Sequence, residues 1–73
     1  MQFGEFIRLK RDKAKFSQNQ VATWLGFAHR SNICLKEGGR LNWNLADILS
    51  LAELFNLKPS ELMAEFEDVQ NEA

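Results

Sequence analysis

The stretch Ser17-Gln18-Asn19-Gln20-Val21-Ala22-Thr23-Trp24-Leu25-Gly26, followed by Arg30-Ser31-Asn32-Ile33-Cys34-Leu35-Lys36-Glu37, decides the fold of this chain. Ser17 with Gln20 three residues later is a capping box, in which each side chain satisfies a backbone donor left unpaired by the first helical turn. Phe16 ahead of the cap can staple onto Val21, and Val21 with Leu25 forms an i, i+4 apolar pair. Gly26 ends the helix, because glycine takes the left-handed conformation cheaply. A second short helix is expected from about Arg30 to Glu37, stopping at Gly38-Gly39. Two short helices joined by a tight turn, across residues 17–37, have helix-turn-helix spacing.

Outward from this centre the pattern is helical throughout. Phe3, Phe6, Ile7, Arg11 and Ala14 recur at helical spacing and predict a first helix from about Phe3 to Lys15. Asn44 with Asp47 caps a fourth helix, whose inward stripe is expected to be Leu45, Ile48, Leu49, Ala52 and Phe55. Pro59 suits the first position of a fifth, with Leu62, Met63, Phe66 and Val69 on its apolar side. The expected fold is all-α, a compact five-helix domain over residues 1–69, with residues 70–73 as a frayed tail. No hairpin turn, repeat or low-complexity run interrupts it.

Composition narrows the class. With 73 residues there is room for one small domain. The balance of 45% hydrophobic and 26% charged residues suits a globular chain rather than a disordered one. Cys34 is the only cysteine, so no intrachain disulfide or cysteine-based metal framework is expected. It fits a reducing compartment and is expected to act as a small packing residue. The N-terminus lacks the basic-then-apolar pattern of a signal peptide, and no run reaches the ~18 apolar residues of a membrane span. One histidine, one cysteine and no paired acids on a cleft point away from an enzyme, and no metal or cofactor is expected.

The formal net charge of −1 removes the simplest sign of nucleic-acid binding, a strongly basic protein. The charge is divided, however. Residues 1–40 carry a net +5 and residues 41–73 a net −6. The basic half contains the paired short helices, which favours a basic working face with an acidic back over a set of merely solvated charges.

The ordered set Gly4-Glu5-x-Ile7-Arg8, Arg11, Phe16-Ser17-Gln18-x-x-Val21-Ala22-x-x-Leu25-Gly26, Ile33, Glu37 and Gly39 resembles the Cro/repressor-type (Xre-like) helix-turn-helix family of phage and bacterial regulators. Asn42-x-Asn44-Leu45, Leu49, Leu51-Ala52, Leu54 and Pro59-Ser60-Glu61-Leu62 extend the likeness over about residues 3–66. The resemblance implies a lambda-repressor-like domain that binds double-stranded DNA in the cytoplasm, as a homodimeric repressor or autoregulator on a two-fold operator. The alternative is an antitoxin-like or adaptor module that keeps the fold for protein interaction. The resemblance also implies an ion pair between Arg11 and Glu37.

Two registers of the third helix are open. With Ile33 inward, Glu37 and Gly39 keep their places, and the Lys36 stem lies along the core with its head in water. With Leu35 inward, Asn32 turns inward too. The first is preferred. Base reading then falls to Arg30, which can fork to guanine, and Asn32, which can pair with adenine, supported by Ser31 and His29. Gln18, at a helix start, and Arg40 and Asn42, after the third helix, are the expected phosphate contacts. By resemblance Lys10 joins them. Trp43 is expected to pack under the third helix, with its N–H open to a phosphate. Trp24 either completes the core edge or marks a partner surface. Asn56, Leu57, Lys58, Pro59, Leu62 and Phe66 are the expected dimer interface, unless the last two are core.

Overall fold

The computed structural model describes residues 1–71; Glu72 and Ala73 of the expected tail lie outside the described residues. Five α-helices form: α1 Phe3–Lys13, α2 Gln18–Leu25, α3 Ser31–Glu37, α4 Leu45–Leu54 and α5 Pro59–Asn71. No strand occurs among the described residues. No helix among them is long and apolar enough to cross a membrane.

Local chemistry sets the helix starts. The Ser17 hydroxyl accepts from the Gln20 N–H at 3.1 Å, and the Gln20 side chain accepts from the Ser17 N–H at 2.7 Å. Asn44 and Asp47 make the same reciprocal pair at the head of α4, at 2.8 and 3.1 Å. Gly26 closes α2 at φ 82°. Ile7, Val21, Ile33, Leu51 and Leu62 are fully buried, and Phe6, Ala22 and Ala52 complete the core. Ile33 is therefore the inward residue of α3, and Leu35 is only half-buried.

Several expectations are corrected. α1 ends at Lys13, with Ala14 exposed. Lys15 takes a left-handed φ of 64°, and the Phe16 N–H bonds back to the Arg11 carbonyl at 3.0 Å. That turn delivers Phe16 to the core and Ser17 to its cap.

The stripe of α4 is rotated. Leu45 and Leu49 are 71% and 47% exposed, whereas Asp47, Leu51 and Ala52 face inward with Ile48 and Phe55 partly buried. The cause is Asp47, which must turn under α3 to meet Lys36. Leu51, one turn further along the helix, follows it into the core.

α5 extends through Gln70 and Asn71, two residues into the expected tail. The amino terminus donates to the Gln70 side chain at 3.1 Å, and the Gln70 amide donates to the Met1 carbonyl.

Leu62 is fully buried, so it does not belong to any interface of the folded monomer. Phe66 is half-buried in an aromatic cluster, 5.1 Å from the Phe3 ring and 5.3 Å from the Phe6 ring between centroids. Both residues seat α5 on the body of the fold.

α1 and α3 approach so closely that only glycine fits at position 4. A Cβ there would lie 2.4 Å from the Lys36 carbonyl oxygen and 2.6 Å from that of Glu37. Backbone atoms cannot move aside as a side-chain tip can. Gly4→Ala is therefore expected to cost about 1–3 kcal/mol through overpacking. In a domain of this size that lowers Tm by roughly 4–8 °C per kcal/mol, measured by thermal unfolding followed by circular dichroism. Gly26→Ala, where a Cβ meets nothing within 4 Å, is expected to show only the left-handed backbone cost of about 1–2 kcal/mol.

Candidate nucleic-acid interface

The outer side of α3 is positioned from beneath by two adjacent residues with opposite charges. Glu37 receives Arg11 from α1 in a two-pronged pair, Nε to Oε2 at 2.6 Å and Nη2 to Oε1 at 3.2 Å. Arg11 Nη1 also donates to the Phe16 carbonyl at 2.8 Å, which ties the α1–α2 connection to the same guanidinium. The hydrogen bond to Glu37 raises the Arg11 pKa above its ordinary value, aided by the charges of Glu37 and Asp12 and opposed by burial. The guanidinium thus stays charged wherever the fold is stable.

Lys36 holds α3 to α4. Its Nζ donates to Asp47 Oδ2 at 2.8 Å and to the Asn42 carbonyl at 2.7 Å. The same ammonium stands 5.3 Å from the Phe27 ring centre and 5.6 Å from that of Trp43. The head is not in water, as the sequence suggested. It is buried because a carboxylate, a carbonyl and two aromatic faces replace its hydration.

With Ile33, Lys36 and Glu37 inward, Ser31 and Cys34 face solvent. His29 and Arg30, in the turn leading into α3, are exposed as well, and Asn32 is half-buried. Cys34 is therefore not a packing residue. It lines an open hollow with Arg8, Gln18 and Glu5, where the starts of α1 and α2 meet α3. Arg8 is an exposed cation beside α3 that the sequence reading left out. It lies one turn after Gly4, the point where α1 touches α3, a contact that only the folded chain reveals.

The other candidates separate. Arg40 and Asn42 are exposed in the loop after α3, which is pinned by Arg40 and Leu41 N–H groups on the Leu35 carbonyl at 2.9 and 3.3 Å. Gln18 is at the α2 start, but its side-chain amide donates to Glu37 at 3.0 Å, leaving its carbonyl oxygen and nearby backbone donors for other contacts.

Lys10 is removed from this face. It pairs with Glu65 of α5 at 2.7 Å, next to Phe66, whose ring meets Phe3 and Phe6 of α1. Trp43 is removed too, since its indole nitrogen is buried without a hydrogen-bond partner and out of reach of a phosphate. Trp24 is 48% exposed, with its indole N–H donating to the Ser50 carbonyl at 2.8 Å. Among the described residues no group of three or more His, Cys, Asp or Glu side chains is arranged to hold a metal ion.

Removing one partner of a buried ion pair strands the other. Glu37→Leu is expected to cost about 3–5 kcal/mol. Pairing it with Arg11→Met should recover much of that loss, because no buried charge then lacks a partner. Urea unfolding of the two single variants and the double variant measures the coupling. Compared with known proteins, the chain matches no family model, no curated protein and no solved structure.

Proposed function

We propose that this chain is a sequence-specific double-stranded DNA-binding regulator with the helix-turn-helix architecture of the lambda-repressor-like, Xre-like type. The observation that carries the reading is the combination on α3. Its inner side is clamped by the pairs Arg11–Glu37 and Lys36–Asp47, while its outer side and the turn before it present Arg30, Ser31 and Cys34 to solvent. A base-reading helix needs that combination, because side chains discriminate bases only if the backbone carrying them holds its position.

In this reading α3 enters the major groove and α2 crosses the phosphate backbone. Arg30 forks to a guanine, Ser31 and Asn32 contact neighbouring base edges, and His29 supports them from the turn. Arg8, Arg40, Asn42 and the α2 start at Gln18 position the domain on phosphates. Three cations of the basic half are already committed, Lys10 to Glu65, Arg11 to Glu37 and Lys36 to Asp47. The cations left for phosphates are correspondingly few, so sequence-independent affinity should be modest and base contacts must supply more of the binding.

A homodimer on a two-fold operator, acting as a cytoplasmic repressor or autoregulator, follows from the same reading. Its interface is drawn from Asn56, Leu57, Lys58 and Pro59, which share a hollow with the exposed Leu49. Glu53 and Glu61 line that hollow beside Lys58, so the patch carries both signs of charge. A two-fold contact, which places a patch against itself, requires such self-complementarity.

A protein-interaction module of the antitoxin-like or adaptor kind is the second reading, favoured by the exposed Trp24. Selection from random duplex DNA at several salt concentrations separates the two. An enriched motif, with affinity falling on a log–log slope of roughly −0.9 per phosphate contacted, is expected. No motif and no binding at low salt would sink the DNA reading. Arg30→Ala should cost about 1–3 kcal/mol and relax one position of the motif, whereas Arg40→Ala should weaken all sequences alike and reduce the slope by about 1. Lys10→Ala should leave DNA affinity unchanged and loosen α5 by about 0.2–1 kcal/mol, the ordinary worth of a partly exposed pair.

A further inference from the structure

Trp24 belongs to a surface that DNA reading leaves unused. Its indole is tethered to the Ser50 carbonyl of α4 while nearly half of the residue faces solvent. The ring is one wall of an open hollow of about 600 Å³, shared with Phe16, Thr23 and Leu54. Phe16 and Leu54 also line a second hollow, which reaches Phe55, Lys10 and Lys13. The two hollows are neighbours that share Phe16 and Leu54, and together they are taken as one apolar-lined groove.

The charges on the groove walls are lysines alone. Lys10 is neutralised by Glu65. Lys13 is exposed and pairs with no carboxylate among the described residues. The groove lies on the α4 flank of α2, whereas Gln18 of the same helix reaches α3. An occupant would therefore leave Arg30 and Ser31 uncovered.

We propose that this groove docks an acidic amphipathic segment of another protein. Two apolar side chains a helical turn apart would sit against Trp24, Phe16 and Leu54, with carboxylates directed toward Lys13. A tethered, amphipathic Trp loses little conformational freedom on binding and is enriched among the residues that dominate interface energies. An amphipathic helix laid in an apolar groove is the binding mode with matching geometry. The uncompensated Lys13 favours an acidic partner over a basic one. It also argues against a symmetric second copy, since a patch facing itself across a two-fold axis would set lysine against lysine.

The test is display selection of random 16-residue peptides on the full chain, with affinities read by fluorescence anisotropy. Selected peptides should carry two large apolar residues three or four apart and an excess of Asp and Glu. Trp24→Ala should weaken them at least tenfold, the size expected for a central interface aromatic. Lys13→Glu alters an exposed side chain outside the core, so it tests the charge preference without threatening the fold. It should weaken acidic peptides and shift the selection toward basic ones.

Failure to select peptides, selection without an acidic bias, or indifference to both substitutions would overturn the proposal. So would concentration-dependent self-association in sedimentation that Trp24→Ala abolishes, because the groove would then belong to a second copy.

Discussion

Lys36 and Glu37 are consecutive, oppositely charged and both buried, and the position of α3 depends on them. Neighbours on a helix point about 100° apart, so one residue can reach α4 while the next reaches α1. Lys36 does the first through Asp47, and Glu37 does the second through Arg11. Their carbonyl oxygens also form the surface on which Gly4 rests. A seven-residue helix is too short to be stable by itself. Tertiary contacts must hold it: Ile33 in the core and the two charge pairs of its last turn.

That arrangement couples parts of the chain that are distant in sequence. Asp47 serves two helices at once, accepting from the Asn44 backbone as part of the α4 cap and from the Lys36 ammonium. The Glu37 carboxylate likewise serves Arg11 and orients the Gln18 amide. Such pairs contribute little net stability compared with apolar replacements, since burying each ion is costly. What they contribute is direction, because a charge pair is satisfied in one relative placement of two helices whereas apolar surfaces tolerate sliding. The outward register of Ser31 and Cys34 follows from that placement.

The division of charge between the two halves also acquires a structural meaning. Three cations of the basic half do not face an outside partner, because they neutralise carboxylates within the fold. Lys10–Glu65 joins the basic and acidic halves, as does Lys36–Asp47, so part of the charge separation is spent on holding the halves together. The cations of the basic half without a carboxylate partner among the described residues, Arg8, Lys13, Lys15, Arg30 and Arg40, define where that half remains positive.

The sequence by itself determined the starts of α2, α4 and α5 and the end of α2, because the two capping boxes, Pro59 and Gly26 act within a few residues of where they stand. It favoured the inward register of Ile33, which keeps Glu37 and Gly39 in place, but left Leu35 open until the buried Ile33 decided it. Rotation of α4 about its axis was beyond its reach. Leu45 and Leu49 present as good an apolar stripe as Ile48, Leu51 and Ala52, and local periodicity has no means to choose between them. The choice came from Asp47, whose partner Lys36 is eleven residues away. Lys10 facing α5 and Cys34 facing solvent were decided in the same way, by which side of each helix its neighbours occupy. Local hydrogen bonding is encoded nearby in the chain, whereas the facing of a helix is encoded in contacts that exist only after the chain has folded.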